Sequence, residues 1–301
     1  MTPLPPVFTS LACLAHDTGP MHVESPARLR VLRGRIVGLD PGALHEAPPA
    51  PREALERVHP ARYLDSIRAF AERGGGAIEE PDMIVSRASF AAACAAAGAA
   101  LAAVRYACEG KGNAFAAVRP PGHHALAERP MGFCLLANAV IAAREAQALG
   151  RERVLIVDWD VHHGNGTQAL VERDPSVRFI SLHQWPLYPG TGAASERGVG
   201  NVFNLPRPPG LPPERYVGDL TETIGLALRD WQPDLVLVSA GYDSMRGDPL
   251  GGFTLEPEHY AELVGVLRSR CPGAPIVALL EGGYAPELVA EGVLATLKAL
   301  V

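Results

Sequence analysis

The sequence predicts a single α/β domain with a mostly parallel central sheet and helices on both of its faces. The chain has 301 residues, 48% of them hydrophobic and 20% charged, which suits a globular protein with a sizeable core. Short apolar runs alternate with longer segments of helical periodicity, the pattern produced by successive βα units. Because neither an internal repeat nor a break in composition divides the chain, we expect one domain over residues 1–301.

Each element is predicted from its own local pattern. Apolar runs predict strands at residues 12–15, 114–118, 154–157, 177–182, 235–239 and 276–280. The segments of helical periodicity, several opened by Ser or Pro in a first-turn position, predict helices at residues 26–37, 61–72, 86–109, 135–149, 165–173, 213–230, 257–270 and 286–300. Two short Pro-rich stretches, residues 48–51 and 205–213, are predicted to be surface loops.

The composition argues against several classes of function. The chain has 27 Lys and Arg against 33 Asp and Glu, so we expect no direct nucleic-acid partner. The most apolar stretch, residues 90–104, is shorter than the roughly 20 residues of a membrane span and mostly Ala, which predicts a packed helix. Five cysteines without a Cys-x-x-Cys pair indicate reduced thiols. Residues 1–10 lack the features of a signal peptide, and we expect a cytoplasmic protein without membrane contact.

Polar side chains directly follow the predicted strands. His123 and His124 come after the run at 114–118, Asp243 after the run at 235–239, and Tyr284 after the run at 276–280. Ligands of open α/β sheets bind beyond the carboxyl ends of the strands. We therefore expect these side chains to meet in one crevice.

The segment after residues 154–157 carries groups that can bind a metal ion. In an extended chain Asp158, Asp160 and His162 lie on one face. A catalytic divalent metal needs three protein ligands and one open position, and Asp160 and His162 can supply two, with Asp243 as the third. A hydrogen-bonded loop without metal is the alternative, but so many ionisable groups after an apolar strand are costly to bury without a function.

The remaining polar groups suit acid–base chemistry. His123 and His124 follow a Pro-Pro-Gly turn, and Asp158 and Asn165 are candidates to orient them, one charged and one neutral, which would give the imidazoles different basicities. Taken alone, a His-His pair in a turn more often lies on the surface or serves as a capping device. Tyr284 follows two glycines and could stabilise a developing oxyanion, although a core aromatic is equally compatible with that position.

Taken in chain order, these segments resemble the zinc-dependent histone deacetylase superfamily, in particular class II-like bacterial histone deacetylase-like amidohydrolases. The resemblance spans most of the chain and implies an arginase/deacetylase-like fold. It is carried by His16-Asp17, Glu24-Ser-Pro-Ala-Arg28, Arg119-Pro-Pro-Gly-His-His124, Gly132-Phe-Cys134, Asp158-Trp-Asp-Val-His-His-Gly-Asn165, Ser181-Leu-His183, Tyr188-Pro-Gly-Thr-Gly192, Gly241-Tyr-Asp-Ser-Met-Arg-Gly-Asp-Pro249 and Glu281-Gly-Gly-Tyr284.

The resemblance implies two metal ions. The catalytic ion would be Zn²⁺ held by Asp160, His162 and Asp243, and two carboxylates with one imidazole also accept Fe²⁺ or Co²⁺. A structural K⁺ would lie near the side chains of Asp158 and Ser181. Its further ligands would be the main-chain oxygens of Asp160, His162 and Leu182.

The resemblance also implies roles around the substrate. His123 and His124 would be the acid–base pair, Asp158 and Asn165 their hydrogen-bond partners, and Tyr284 the oxyanion-stabilising hydroxyl. The substrate tunnel would have the aromatic walls Phe133 and Tyr188, the acceptor carbonyl of Gly132, and Leu250 at the gatekeeper position.

The implied reaction is hydrolysis of Nε-acyl-lysine, in a protein, or of a similar acylated amine by zinc-activated water. Asn165 indicates class II, and the presence of Tyr284 indicates an active enzyme. An acetylpolyamine amidohydrolase is the alternative, but Leu250 replaces the glutamate of polyamine-preferring relatives and the chain is too short for their dimerisation insert. An arginase-like binuclear manganese hydrolase would need further carboxylates, and silent acyl-lysine-binding relatives usually lack a metal ligand or the tyrosine.

Overall fold

The centre of the protein is a sheet of parallel strands. The computed structural model describes residues 3–301, so residues 1 and 2 of the predicted domain lie outside the described residues. Within these, the central sheet consists of β1 (Val7–Thr9), β2 (Leu44–Glu46), β5 (Ala114–Ala116), β6 (Val154–Asp158), β7 (Val177–Gln184), β8 (Val202–Arg207), β9 (Leu235–Ala240) and β10 (Ile276–Leu280). A separate antiparallel hairpin is formed by β3 (Gly76–Ile78) and β4 (Glu80–Val85). The order of the central sheet is β2-β1-β5-β10-β9-β6-β7-β8.

Helices flank this sheet in two groups. The α-helices are α1 (Ala27–Leu39), α2 (Arg52–Glu56), α3 (Ala61–Glu72), α4 (Ser89–Cys108), α5 (Asn138–Ala148), α6 (Asn165–Val171), α7 (Pro213–Ala227), α8 (Pro257–Arg270) and α9 (Pro286–Leu300). Helices α4, α5 and α6 pack one against the next, and so do α1, α9, α8 and α7. The predicted fold class, a mostly parallel sheet with helices on both faces, is confirmed.

One predicted strand is wrong. Residues 12–15 belong to a 3₁₀ helix, Leu11–Ala15, and the strand of this region is β1, which ends just before it. The Ser10 side chain accepts a hydrogen bond from the main-chain nitrogen of Ala12, which caps the first turn of that helix. A short apolar run alone does not separate a strand from a buried helical turn, whereas the capping serine does.

The sequence pattern also predicts no strand at the two outer positions of the sheet, which β2 and β8 occupy. The prediction of a loop at residues 205–213 is wrong for its first three residues, because Leu205, Pro206 and Arg207 end strand β8. Strand β8 lies at the edge and pairs only with β7, so the missing N–H of Pro206 interrupts no pairing on its outer side. Strand β2 and the hairpin β3–β4 are short or half-exposed and carry no strong periodic pattern.

Helix α4 contains the most apolar stretch of the chain. Judged by length and composition alone it could cross a membrane, but 72% of its apolar window is buried inside the fold. It packs against α5, β1 and β5, which confirms the packed helix expected at residues 90–104. The helix can approach the chain at residues 48–50 closely because residue 98 is glycine: a Cβ atom there would lie 2.0 Å from the Pro48 oxygen and 2.7 Å from the Ala50 nitrogen.

We predict that Gly98→Ala lowers the free energy of unfolding by about 1–3 kcal/mol, because both obstructing atoms belong to the backbone. The matched control is Gly265→Ala in helix α8, where a Cβ atom meets nothing within 4 Å and alanine should stabilise the helix by about 0.5–1 kcal/mol. Urea unfolding of both variants measures the two effects. Equal stability of Gly98→Ala and the unmodified protein would contradict the close packing described here.

Candidate active site

The loops after four neighbouring strands meet at the carboxyl ends of those strands. His123 and His124 follow β5, Asp160 follows β6, Asp243 follows β9 and Tyr284 follows β10. Strands β5, β10, β9 and β6 are consecutive neighbours, so their carboxyl ends lie side by side, as the sequence predicts. A cavity of about 230 Å³ opens there, lined by Glu80, Asp82, His124, Gly132, Phe133, His162, Leu187, Tyr188, Leu250 and Tyr284.

Asp160, His162 and Asp243 form a buried cluster of ligand-type side chains. One ligand atom of each lies within 4.8 Å of the other two. His162 Nδ1 lies 3.0 Å from Asp160 Oδ1 and 3.2 Å from Asp243 Oδ2. Strand β6 ends at Asp158, so the extended alternation assumed for residues 158–162 is absent. A turn brings Asp160 and His162 together, while Asp158 points to His123.

Two glycines make room for this cluster. A Cβ atom at Gly282 would lie 2.1 Å from Asp243 Oδ2 and 2.5 Å from Asp160 Oδ2, and one at Gly241 would lie 2.1 Å from Asp160 Oδ2. Any side chain at these positions would therefore collide with a carboxylate. The space around the two carboxylates depends on both glycines.

Burial and mutual charge shift the pKa values within the cluster. Burial and then the charge of Asp160 raise the pKa of Asp243 to about 7. Burial lowers the pKa of His162, but the adjacent carboxylates of Asp160 and Asp243 outweigh burial and raise it to about 10. Asp243 Oδ2 receives no hydrogen bond within the described chain. An orphaned buried carboxylate oxygen beside a second carboxylate and an imidazole fits a divalent metal ion.

His123 and His124 have the partners that the sequence predicts. His123 Nδ1 lies 3.0 Å from Asp158 Oδ2, and His124 Nδ1 lies 2.7 Å from Asn165 Oδ1. Burial lowers the pKa of His123, but the carboxylates of Asp160 and Asp158 outweigh it and raise that pKa well above the ordinary value. Burial and then the neighbouring His123 lower the pKa of His124 well below the ordinary value. The two imidazoles therefore differ in basicity.

Glu281 is a site residue that the sequence reasoning left without a role. Its Oε2 accepts hydrogen bonds from the main-chain nitrogens of Gly122 at 2.6 Å and His123 at 3.1 Å, so it holds the turn that presents the histidines. Burial raises the pKa of Glu281 to about 7. Glu281 also forms a second ligand-type group with His123 and Cys134. A glutamate directly after a fully apolar strand was the signal that could have found it.

A chain of buried charges holds the loop that carries Tyr284. Arg28 donates hydrogen bonds to the main-chain oxygens of Glu281 and Gly283, and its guanidinium lies 5.1 Å from the centre of the Tyr284 ring. Arg28 is itself paired with Glu24 at 3.0 Å. Burial raises the pKa of Glu24, but Arg119 outweighs it and brings the value to about 2. The tyrosine loop is therefore fixed from behind by an ionised network.

The predicted tunnel residues line the cavity. Phe133 and Tyr188 are two aromatic walls of the cavity, packed edge to face against Tyr284 at 5.8 Å and His124 at 5.2 Å between ring centroids, respectively. The Gly132 carbonyl accepts a hydrogen bond from the Cys134 thiol at 3.3 Å, and Leu250 is half-buried at the rim.

The residues predicted to bind K⁺ lie close to the same strand ends. Asp158 and Ser181 are paired in the adjacent strands β6 and β7, and Leu182 follows Ser181 in β7. Asp158 is thus both the hydrogen-bond partner of His123 and one of the predicted K⁺ ligands. The Ser181 hydroxyl contacts His183 Nδ1 at 3.0 Å.

The fold and this cluster define a class, the amide hydrolases with an arginase/deacetylase-like fold. Residues 22–300 match the family described as "Histone deacetylase domain", and the chain belongs to that family. The resemblance found in the sequence is confirmed.

Three known proteins illustrate the relationship. A histone deacetylase-like amidohydrolase of Pseudomonas aeruginosa is 37% identical over 93% of this chain and 77% of its own. The polyamine deacetylase HDAC10 of Homo sapiens is 37% identical over 96% of this chain and 46% of its own. The crystal structure of the HDA15 HD domain is similar with a TM-score of 0.93 at 35% identity, over 98% of this chain and 90% of that one.

The buried network behind the site makes stability depend on pH. Burial lowers the pKa of His16 from 6.5 to about 4; Glu24 opposes this shift and Arg119 adds to it. As the pH falls, His16 therefore takes up a proton at a higher pH in the unfolded chain than in the folded one. The contribution of neutral, buried His16 to the stability of the fold is complete above pH 6.5 and is lost as the pH falls towards 4. We predict a loss on the order of 3 kcal/mol from this residue between pH 7 and pH 4.

The measurement is urea unfolding of the unmodified protein and of His16→Gln at pH 7 and pH 4.5. His16 Nδ1 also contacts the Ser89 hydroxyl at 2.7 Å, so the substitution should destabilise the protein at pH 7. The difference between the two proteins should narrow at pH 4.5, where folding must keep His16 neutral. A difference that stays constant with pH would contradict the lowered pKa.

Proposed function

We propose that this protein is a metal-dependent deacetylase that removes acetyl or other acyl groups from Nε-acyl-lysine or a similar acylated amine. The observation that carries the proposal is the position of the Asp160–His162–Asp243 cluster beside the histidine pair and Tyr284 at one cavity. Zn²⁺ is the first choice of metal, with Fe²⁺ or Co²⁺ as alternatives, because one imidazole and two carboxylates suit all three.

When bound, the ion would supply Lewis-acid polarisation of the acyl carbonyl and a lowered pKa for water. The side chains of the protein would carry out the proton transfers. His124 lines the cavity, and its Nδ1 donates to Asn165, which leaves Nε2 to accept a proton from water and return it to the departing amine. His123 lies behind it, where Asp158 stabilises its protonated form.

Tyr284 is proposed as the donor to the acyl oxygen. Burial and the charges of Asp243 and Asp160 raise its pKa well above the ordinary value of 10, so the hydroxyl keeps its proton. Its side chain lines the cavity, and Arg28 and the Asp248 carboxylate fix its loop, the latter by accepting the Tyr284 main-chain N–H at 2.6 Å. A hydroxyl held in advance where negative charge develops stabilises the transition state more than the ground state.

The cavity suits an unbranched acylated amine between two aromatic rings. Acetylpolyamines are the second candidate substrate: one relative is named a polyamine deacetylase, and the mouth carries the carboxylates Glu80 and Asp82. Leu250 at the rim adds no charge that would favour them. Against a binuclear manganese centre, the two ligand-type groups found among residues 3–301 share no carboxylate that could bridge two ions.

Two further assignments belong to this proposal. A structural K⁺ near Asp158 and Ser181 is supported by the pairing of these residues in adjacent strands. A cytoplasmic location is supported by the five cysteines, which are all unpaired.

We predict that metal-free protein hydrolyses none of three substrates, an acetyl-lysine peptide, a trifluoroacetyl-lysine peptide and N-acetylputrescine, and that added Zn²⁺ restores activity. Tyr284→Phe should lower kcat about 100-fold or more at unchanged metal content, because it removes one donor to the developing charge. Asp243→Asn should lose the metal itself, which atomic absorption measures independently of activity. The best substrate distinguishes protein lysine from polyamine.

The matched control is Tyr260→Phe, which deletes a buried hydroxyl that has no hydrogen-bond partner and does not line the cavity. It should keep both activity and metal. Bound zinc without turnover on any substrate would overturn the proposed reaction. Turnover that survives both Tyr284→Phe and Asp243→Asn would overturn the assignment of the site.

A further inference from the structure

Hairpin β3–β4 lies at the mouth of the cavity and contributes one carboxylate that contacts Tyr188 and the turn that carries Phe133. The Tyr188 hydroxyl lies 2.9 Å from Glu80 Oε1 and 3.0 Å from Oε2. The main-chain nitrogen of Gly132, next to Phe133, donates to Glu80 Oε2 at 3.0 Å. One side chain therefore links three segments that are far apart in sequence.

The wall that contains Phe133 needs such support. Phe133 has φ = +66° and Gly132 has φ = +53°, and the left-handed region is unfavourable for phenylalanine. The main chains of Met131 and Cys134 are hydrogen-bonded to each other at 3.2 and 2.9 Å, which fixes the ends of the turn. Glu80 is the side chain that fixes its middle, through the Gly132 N–H.

The second aromatic wall of the cavity is Tyr188. Tyr188 is 38% exposed, and its ring meets His124 edge to face. A Cβ atom at Gly132 would lie 2.3 Å from His124 Cδ2 and 3.0 Å from Tyr188 Cε1, so these three residues are tightly packed. Burial and the Glu80 carboxylate raise the pKa of Tyr188 above its ordinary value, so its hydroxyl remains a donor to Glu80.

We propose that Glu80 is a positioning residue that joins Tyr188 and the Gly132–Phe133 turn into one aperture, and thereby sets the affinity of the cavity for a narrow acyl-amine chain. The inference rests on the proposed function and deepens it by naming a residue that governs substrate fit. Glu80 acts through the two walls, so its effect belongs in KM and not in the chemical step.

The neighbouring Glu79 separates this role from a simple effect of charge. Glu79 is exposed, lies between β3 and β4 of the same hairpin and does not line the cavity. Its carboxylate pairs with Arg129 at 3.3 Å, whereas the Glu80 side chain contacts Tyr188 and the Gly132 N–H. Glu79→Gln therefore removes one negative charge near the mouth and leaves the contacts between Glu80 and the walls in place.

The test is steady-state kinetics of the metal-loaded protein with two acetyl-lysine peptides, one flanked by neutral residues and one by arginines. Glu80→Gln should raise KM about five- to tenfold for both peptides, with kcat within twofold, as expected when one or two net hydrogen bonds that shape a site are lost. Tyr188→Phe should act similarly. The KM of the double variant should be no higher than that of the poorer single variant, because both substitutions break the same contact between Glu80 and Tyr188.

Glu79→Gln, the control for charge, should alter KM only for the arginine-flanked peptide. Three results would overturn the proposal: an unchanged KM in Glu80→Gln, an effect of Glu80→Gln confined to the arginine-flanked peptide, or multiplicative effects of Glu80→Gln and Tyr188→Phe. The first result would show that Glu80 has no influence on substrate fit. The second would show that its influence is an effect of charge, and the third that Glu80 acts independently of Tyr188.

A failure of the proposed reaction would be visible as absent turnover in the unmodified protein. The contact between Glu80 and Tyr188 is then measured by urea unfolding of the two single variants and the double variant. Their losses of stability should be non-additive, whereas Glu79→Gln and Tyr188→Phe should combine additively. Additivity in both pairs would overturn the contact regardless of any activity.

Discussion

The structure depends on burying two carboxylates side by side at the end of the sheet. Asp160 and Asp243 are fully buried, and charges removed from water are costly unless partners replace the water. Main-chain N–H groups do part of this: Gly282 donates to Asp160 Oδ2 at 2.8 Å, and Val161 donates to Asp243 Oδ1 at 2.8 Å. Each donor belongs to a loop after a different strand. The strand ends must therefore stay in register for both carboxylates to be satisfied.

A second set of buried charges lies behind the loop that carries Tyr284. Arg28 is paired with Glu24, and Glu24 lies between Arg28 and Arg119. Such an arrangement is stable only as a unit, because loss of one member leaves an unpaired charge in the interior. Its cations hold main-chain oxygens of the loop after β10 and of the region around Cys13 and His16. The network thus links the main chain at residues 13–16 to the loop that carries Tyr284.

What the sequence predicts well is what the sheet itself places. A polar residue directly after an apolar strand has one destination in a parallel sheet, so the meeting of His123, Asp160, Asp243 and Tyr284 could be read from strand ends alone. The prediction lost accuracy where the chain leaves that regularity. The grouping of Asp160 with His162 depends on a turn, and the strand assigned to residues 12–15 is a helical turn capped by Ser10. Neither feature has a periodic signal.

Glu80 could not have been found in the same way, and the reason concerns how the site is built. The groups for the chemistry lie on loops anchored to the central strands, whereas the cavity walls come from the turn at Phe133 and the loop at Tyr188 and are joined by a carboxylate from a separate hairpin. No strand register determines these distances; they depend on side-chain contacts across 52 and 108 residues of chain. The distances that shape the cavity therefore depend on contacts that do not involve the buried carboxylates, while the aromatic walls reach the chemistry through their packing against His124 and Tyr284.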